Sequence, residues 1–411
     1  MSESPASGTS TAAASRTRRG TLLGAMFLMA TSAIGPGFIT QTTNFTAQLG
    51  AAFAFAILVS IVVDIAVQLN LWRVIGVAGV HAQDLANRVL PGAGYLLAAL
   101  IVFGGLVFNV GNIAGTALGL DALFGLEVKI GGAVSALIAI GILASRRAGV
   151  AMDRIIVVLG VLMIVLTLYV AVVSGPPVGE ALRQSVLPDE IGWVAIVTII
   201  GGTVGGYISY SGAHRLVDTG VKGPENVGAI SRASVTGVIV TAVMRVLLFL
   251  AVLGVVAGGV DLLTAENPPA AAFAAAAGEV GLRLFGVIIW AAAISSVIGA
   301  SYTSVSFVAG FSPWLTRNRG WLVTGFIALS TVIYLALGQA PATLLILAGA
   351  LNGLILPVGM GIMLWVAARR SHDLLHGYRY PVWLLGIGVS AWLLTIYIAW
   401  QSLSGIAALW Q

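Results

Sequence analysis

Residues 191–213 read IGWVAIVTIIGGTVGGYISYSGA, apolar enough to cross a bilayer yet interrupted at the centre by Gly201-Gly202-Thr203-Val204-Gly205-Gly206. Glycine is a poor helix former, so this stretch predicts a helix that unwinds at membrane depth, where freed amides and carbonyls must find partners. A second interruption, Gly35-Pro36-Gly37, lies inside the apolar stretch 20–49, and its proline also removes a backbone donor. Counted along the chain, these are spans 1 and 6. Interruptions five spans apart are what an inverted repeat of five plus five helices produces, with a binding site where the two breaks meet. Close helix packing explains the other glycines among the 52 and is the competing explanation at the breaks.

The rest of the chain has the composition such a fold needs. Of 411 residues, 59% are hydrophobic and 9% charged, which leaves too little polar surface for a soluble globule. Apolar runs recur that can each cross a hydrocarbon core of ~30 Å as a helix. About eleven spans are predicted, at 20–49, 50–72, 92–120, 128–145, 154–174, 191–213, 233–258, 283–311, 320–338, 341–367 and 381–402. The fold class is therefore an all-α polytopic membrane protein. Its transmembrane domain, 20–403, divides into repeat one at 20–174, repeat two at 191–367 and an extra helix at 381–402. Residues 1–19 are expected to be a disordered cytoplasmic tail and not a signal peptide, because Met1 to Ser15 is rich in Ser, Ala, Thr and Gly and has no apolar block. Residues 404–411 are expected to be a short C-terminal tail. The chain has no cysteine, which rules out disulfides, thiolate metal sites and cysteine nucleophiles.

Charge gives the orientation. With the N-terminus cytoplasmic, sixteen of the 20 Lys and Arg residues fall in cytoplasmic loops, while Lys129, Arg183 and Arg283 lie on the other side and Arg245 lies within a span. The bias fixes N-in, C-out. It also explains the pI near 9.7 without a nucleic-acid partner. Two charges remain in spans, Asp64 and Arg245, and a structural pairing is favoured for them over a proton relay. His214 reads as an interfacial loop residue beside Arg215.

Other classes lack their motifs. There is no His-Glu-x-x-His, no Gly-x-Ser-x-Gly, no pair of carboxylates within a span and no Walker lysine, so neither an enzyme nor ATP-driven transport is expected. A channel in the same fold stays open as the alternative to a secondary transporter working by alternating access.

Several stretches carry a resemblance: Gly35-Pro36-Gly37-Phe38-Ile39, Gly115 to Gly125, Ser295-Ser296, and Asn352 with Pro357. Their order and spacing resemble the Nramp-type divalent metal transporters, which share the leucine-transporter-type fold of the amino acid-polyamine-organocation superfamily. Gly35 to Gln41, Phe108 to Gly115 and Gly201 to Tyr207 look more closely like a divergent bacterial branch whose Bacillus member is encoded near 5-oxoprolinase components. The resemblance implies a metal or small-molecule substrate in a lipid bilayer. It departs where the family does its chemistry. The helix-1 Asp-Pro-Gly-Asn is replaced by Gln41-Thr42-Thr43-Asn44, the helix-6 Met-Pro-His by Gly205-Gly206-Tyr207, and the helix-3 acids by Asn109 and Asn112.

The expected substrate site is thus neutral and hydrogen-bonding: Thr40, Gln41, Thr42, Thr43, Asn44, Thr203, Gly205, Gly206, Tyr207, Asn109, Asn112 and Asn352, with Ser209 beside them. A dication leaving its water shell needs stronger ligands than these. A small organic solute fits better, and the resemblance makes 5-oxoproline the concrete candidate. The alternative is Mg2+ or Mn2+ bound with part of its water shell, or an uncoupled uniporter. No resident cofactor is expected. The coupling ion is Na+ or H+, and the resemblance makes Ser295 and Ser296 candidate sodium ligands, with small-residue packing at equal weight.

Overall fold

The computed structural model describes residue 22, residues 33–144 and residues 146–408, and contains α-helices and short 3-10 turns, with no strand among the described residues. The helices are α1 (Pro36–Leu49), α2 (Phe53–Ala78), α3 (Ala82–Val89), α4 (Ala93–Phe124), α5 (Val128–Ala144), α6 (Arg146–Val173) and α7 (Val178–Val186). They continue as α8 (Trp193–Val204), α9 (Ile208–Asp218), α10 (Val227–Ala257), α11 (Pro268–Ala309), α12 (Arg319–Leu337), α13 (Pro341–Arg369) and α14 (Val382–Ala408). Single turns of helix sit at Pro313–Arg317 and Ser371–Leu374.

Among the described residues, eight helical stretches are long and apolar enough to cross a membrane, or nine if the bent pair Val158–Val173 and Val178–Val186 forms one span. The stretch Pro36–Ala78 contains α1 and α2 end to end, and therefore two of the predicted spans; α5 is a shorter apolar helix. Each predicted span coincides with an apolar helix, except the first half of span 1, which apart from Leu22 and the residues from Ala33 lies outside the described residues. The 1–19 tail lies outside them too. Of the tail expected at 404–411, residues 404–408 belong to α14 and residues 409–411 lie outside the described residues.

The sequence passed over three short helices: α3, α7 and the segment 268–277, which a non-helical Gly278 (φ 61°) separates from the rest of α11. Each is too short to span, so hydropathy over a membrane-length window cannot see it. The helix-6 break is also narrower than expected. Helix α8 runs through Val204, so Gly201, Gly202 and Thr203 are helical and the chain unwinds only over Gly205-Gly206-Tyr207, with Gly206 at φ 51°. The reason is packing. A side chain at Gly201 would strike the Gly349 carbonyl and the Gly353 backbone of α13, and one at Gly202 would meet the Gln41 carboxamide of α1. Close backbone approach of this kind, more than apolar burial, is what associates helices in lipid.

The broken pair α8–α9 is the axis of the molecule. Its most apolar window is 94% buried, against 22% for α12 and 33% for α14, which face lipid with Trp321, Trp383 and Trp400 exposed. Loops predicted to share a side do meet. At one end His81 bonds Asp218 (2.7 Å), Gly223 N–H bonds the Gly76 carbonyl (2.9 Å) and His376 bonds the Ala78 carbonyl (3.2 Å). At the other, Asn267 donates to the Leu118 carbonyl (3.0 Å) and Arg283 to that of Ala122 (3.2 Å).

Two outcomes follow. Gly201→Val should destabilise the purified protein by about 1–3 kcal/mol through overpacking, seen as a lower thermal midpoint, whereas Gly141→Ala, which meets nothing within 4 Å, should not shift it. Because the chain has no native cysteine, single cysteines report sidedness directly: Glu225→Cys should react with an impermeant maleimide only from the cytoplasm and Asp261→Cys only from outside.

Candidate transport site

The helix-1 break is the bend at Ile34 and Gly35, of which Gly35 is extended. Gly35 (φ −109°, ψ −171°) precedes α1, and Pro36 takes the first helical position, where its missing N–H costs nothing. Space is tight: a side chain at Gly35 would meet Ser296 Oγ at 3.1 Å and Asn112 Oδ1 at 4.0 Å, and Pro36 lies against Gly115 of α4. Ser296 Oγ and Asn112 Nδ2 are buried with no hydrogen-bond partner. The Tyr207 hydroxyl lies beside the same Asn112 carboxamide without closing a bond to its Nδ2. The Tyr207 ring stands edge-on to Phe108 at 5.6 Å. Asn112 therefore touches both breaks.

The helix-6 break is held by Asn352 of α13. Its Nδ2 donates to the Gly104 carbonyl of α4 (3.1 Å) and to the Ala348 carbonyl of its own helix (2.8 Å), while its Oδ1 packs onto Gly206 and accepts nothing. Only glycine combines that contact with a positive φ. Ser304 of α11 presents a second unpartnered oxygen next to Gly105. On the far side of the break, Ser209 Oγ donates to the Val204 carbonyl (2.6 Å) and Trp72 Nε1 to the Ser209 carbonyl (2.8 Å), fixing α9 to α2.

The remaining predicted residues are distributed less evenly. Thr40 to Asn44 are not in an unwound segment but inside α1, between one and three turns beyond Gly35. Thr42 Oγ1 donates to the Phe38 carbonyl (2.7 Å) and Asn44 Nδ2 to that of Thr40 (2.9 Å), bonds that hold each side chain against its own helix. Gln41 crosses to α13, donating to the Leu345 carbonyl (2.9 Å), and leaves its Oε1 free, as Thr40 and Thr43 leave their hydroxyls. Asn109 turns away from the breaks: its Nδ2 donates to Ser301 (3.0 Å) and Ser330 (3.1 Å) on α11 and α12. Ser295 bonds the Ala292 carbonyl on its own helix, so of the serine pair only Ser296 faces the helix-1 break.

Thr203 lies two residues before the break and accepts a bond from Arg245 (3.1 Å); Asp64 lies near both, and it forms no direct ion pair with Arg245. His214 is a correction. It is 4% exposed within α9, stacked on His81 at 4.3 Å, with Nε2 accepting from the Ala82 amide (3.1 Å). The sequence had it in a loop because it adjoins Arg215, but the helix turns it inward and Arg215 outward.

Sequence reasoning missed Ser301, Ser304 and Gly104-Gly105. The signal was present as polar residues three to four apart along span 8 and a glycine pair in mid-span 3, both marking a face turned from lipid.

The donors at the breaks are hydroxyls and carboxamides. Among the described residues, no group of three or more His, Cys, Asp or Glu is arranged to hold a metal ion. Each buried polar atom left unpaired costs about 1–3 kcal/mol, so a ligand that satisfies several at once recovers that energy on binding. Helices α1 and α9 both begin at a break with no side-chain cap, and their positive dipole ends favour a negative group.

Comparison with known proteins agrees with this architecture. The chain is 51% identical over 367 residues to the uncharacterized membrane protein YcsG of Bacillus subtilis, covering 89% of this chain and 90% of that protein. It is 50% identical over 382 residues to an uncharacterized membrane protein of Haemophilus influenzae, covering 93% and 94%. Among solved structures, the Eremococcus coleocola manganese transporter superposes with a TM-score of 0.70 at 16% identity, covering 94% of this chain and 86% of that one. MhsT in complex with L-phenylalanine superposes with a TM-score of 0.59 at 18% identity, covering 92% and 98%. At such identities the likeness is one of fold. The model of the family described as "Natural resistance-associated macrophage protein-like" matches residues 26–405, and the chain belongs to this family, the Nramp transporters.

Proposed function

We propose that this Nramp-family membrane transporter carries a small organic acid, with 5-oxoproline as the first candidate, by alternating access around the breaks at Gly35 and Gly205-Gly206. It would sit in the bacterial cytoplasmic membrane with its N-terminus inside. The observation that carries this reading is the chemistry at the breaks: unpartnered neutral polar atoms of Ser296, Asn112 and Asn352 beside two uncapped helix N-termini. A carboxylate can accept from the amides and from Asn112 Nδ2, while a ring amide can pair with Asn352 Oδ1 and Ser296. A bare dication would meet no carboxylate or thioether there and would be repelled by the positive helix ends.

Divalent transport is the second reading, favoured by the manganese transporter among the structural neighbours and requiring that the ion keep part of its water shell. For coupling, Ser296 Oγ beside Gly35 suits Na+, and a proton is the other candidate.

The test is uptake into liposomes containing the purified protein, with labelled 5-oxoproline, Mn2+ and Mg2+ each supplied with and without an inward Na+ or H+ gradient. Gradient-driven accumulation of the organic acid with no metal flux is expected. Metal flux without organic-acid uptake overturns the reading, and equilibration that ignores every gradient makes the protein a uniporter. Tyr207→Phe and Asn112→Ala should each lower uptake about tenfold, the value of one to two hydrogen bonds, with protein yield unchanged. Asn109→Ala, whose side chain faces α11 and α12, should remain near wild type.

A further inference from the structure

Asp64 of α2 and Arg245 of α10 are the two buried carboxylate and guanidinium groups among the described residues, 3% and 2% exposed. A hydroxyl stands between them. Thr203 Oγ1 accepts from Arg245 Nη2 at 3.1 Å and donates to the Ile199 carbonyl at 2.7 Å, with the Asp64 carboxyl beside it. One Asp64 oxygen and Arg245 Nη1 are buried without partners. The Phe38 ring lies over the guanidinium, 4.4 Å from ring centre to carbon. Thr203 is two residues before Gly205 and Phe38 three after Gly35, so the cluster borders both helix breaks.

We propose that Asp64 is the proton-binding group that couples transport of a monovalent carboxylate to the proton gradient, with Thr203 and Arg245 conveying its charge to the two breaks. This rests on the organic-acid reading above.

Charge balance is the core of the argument. With Asp64 ionised, the cluster is neutral overall, and an anion arriving at the breaks meets no net attraction from it. With Asp64 protonated, Arg245 is left as a lone positive charge in a low-dielectric bundle, where charges act over distances that water would screen. An anion at the breaks compensates that charge. By linkage, whatever factor protonation adds to anion affinity, the anion adds to proton affinity. Proton and anion thus load together, cross as an electroneutral pair and leave together, and a tenfold proton gradient sustains up to about tenfold accumulation.

Thr203 supplies the mechanical link. Its single hydrogen cannot serve Ile199 and Asp64 together. An ionised Asp64 draws it away from the Ile199 carbonyl in the last turn of α8, whereas a protonated Asp64 donates to the hydroxyl oxygen and leaves that turn closed.

The other charged groups on the helices packed against α2 do not face Asp64: Arg215 of α9, Arg232 of α10 and Arg369 of α13 are exposed at the helix ends. His214 and Asp218 of α9 contact His81, and Glu180 of α7 is paired with Arg183. Arg73, further along α2 itself, donates to Ser231 at 2.8 Å. Arg245 is the charged group that acts on Asp64.

Asp64→Asn and Asp64→Glu are tested in liposomes with labelled 5-oxoproline and a voltage-sensitive dye. Asp64→Asn should carry the organic acid down its own gradient but not concentrate it against one under a proton gradient, and each anion should now carry current. Asp64→Glu should keep proton-driven accumulation, and Thr203→Ser should keep it better than Thr203→Val. Proton-driven accumulation by Asp64→Asn overturns the proposal while leaving the organic-acid reading intact. A readout free of substrate covers the case in which no organic acid is carried or a variant misfolds. Infrared difference spectra of the wild type between alkaline and mildly acidic buffer should show a protonated-carboxyl band that Asp64→Asn lacks, and the same band in both proteins overturns the proposal.

Discussion

The contact on which the rest of the structure depends is that of Asn352 with Gly206. A helix that unwinds in the middle of a membrane exposes backbone groups that lipid cannot satisfy, so the break survives only if neighbouring protein occupies it. Asn352 does this from α13 while anchoring itself on the Gly104 carbonyl of α4. The glycines follow from that arrangement. Gly201 lets α8 touch Gly349 and Gly353, Gly104 and Gly105 admit Asn352 and Ser304, and Gly206 takes the positive φ at the break itself. Removing the glycines would separate the helices and leave the break without a partner.

From this packing comes the division of labour within the bundle. Neutral groups line the breaks, and the charges lie one layer behind, on α2 and α10, with Thr203 bonded to Arg245 beside Asp64. A site that carried its own carboxylates would hold a cation by direct ligation. On the organic-acid proposal, a site with hydroxyls, carboxamides and helix N-termini would favour the opposite sign. If the proposal holds, the same Nramp fold would serve ligands of opposite charge through a few substitutions in its broken helices, as expected when function resides in sites carried by a fold.

The parts legible in the sequence were those set by the membrane. Span positions, both breaks and the grouping of loops at the two ends followed from hydropathy, glycine and proline placement and Lys/Arg counts, because a bilayer imposes lengths and sides that leave marks in a single chain. Side-chain direction was harder to read. Thr42 and Asn44 look like ligands in a list of polar residues, yet each bonds a carbonyl one turn back. Asn109 and Asn112 are three apart and should share a face, but the width of α4 is enough for one to serve α11 and α12 and the other the breaks. Gly201 and Gly205 look alike in sequence, and only the approach of α13 assigns packing to the first and unwinding to the second. His214 was misplaced for a related reason, since adjacent residues on a helix point in very different directions.

The most direct test of the account is equilibrium binding to the detergent-purified protein, measured by titration calorimetry with 5-oxoproline and with Mn2+ in parallel. The account predicts saturable heat from the organic acid that weakens in Asn112→Ala, and none from the metal. Saturable Mn2+ binding with no heat from the acid would contradict it, and would mean that hydroxyls and carboxamides at these breaks suffice to hold a dication.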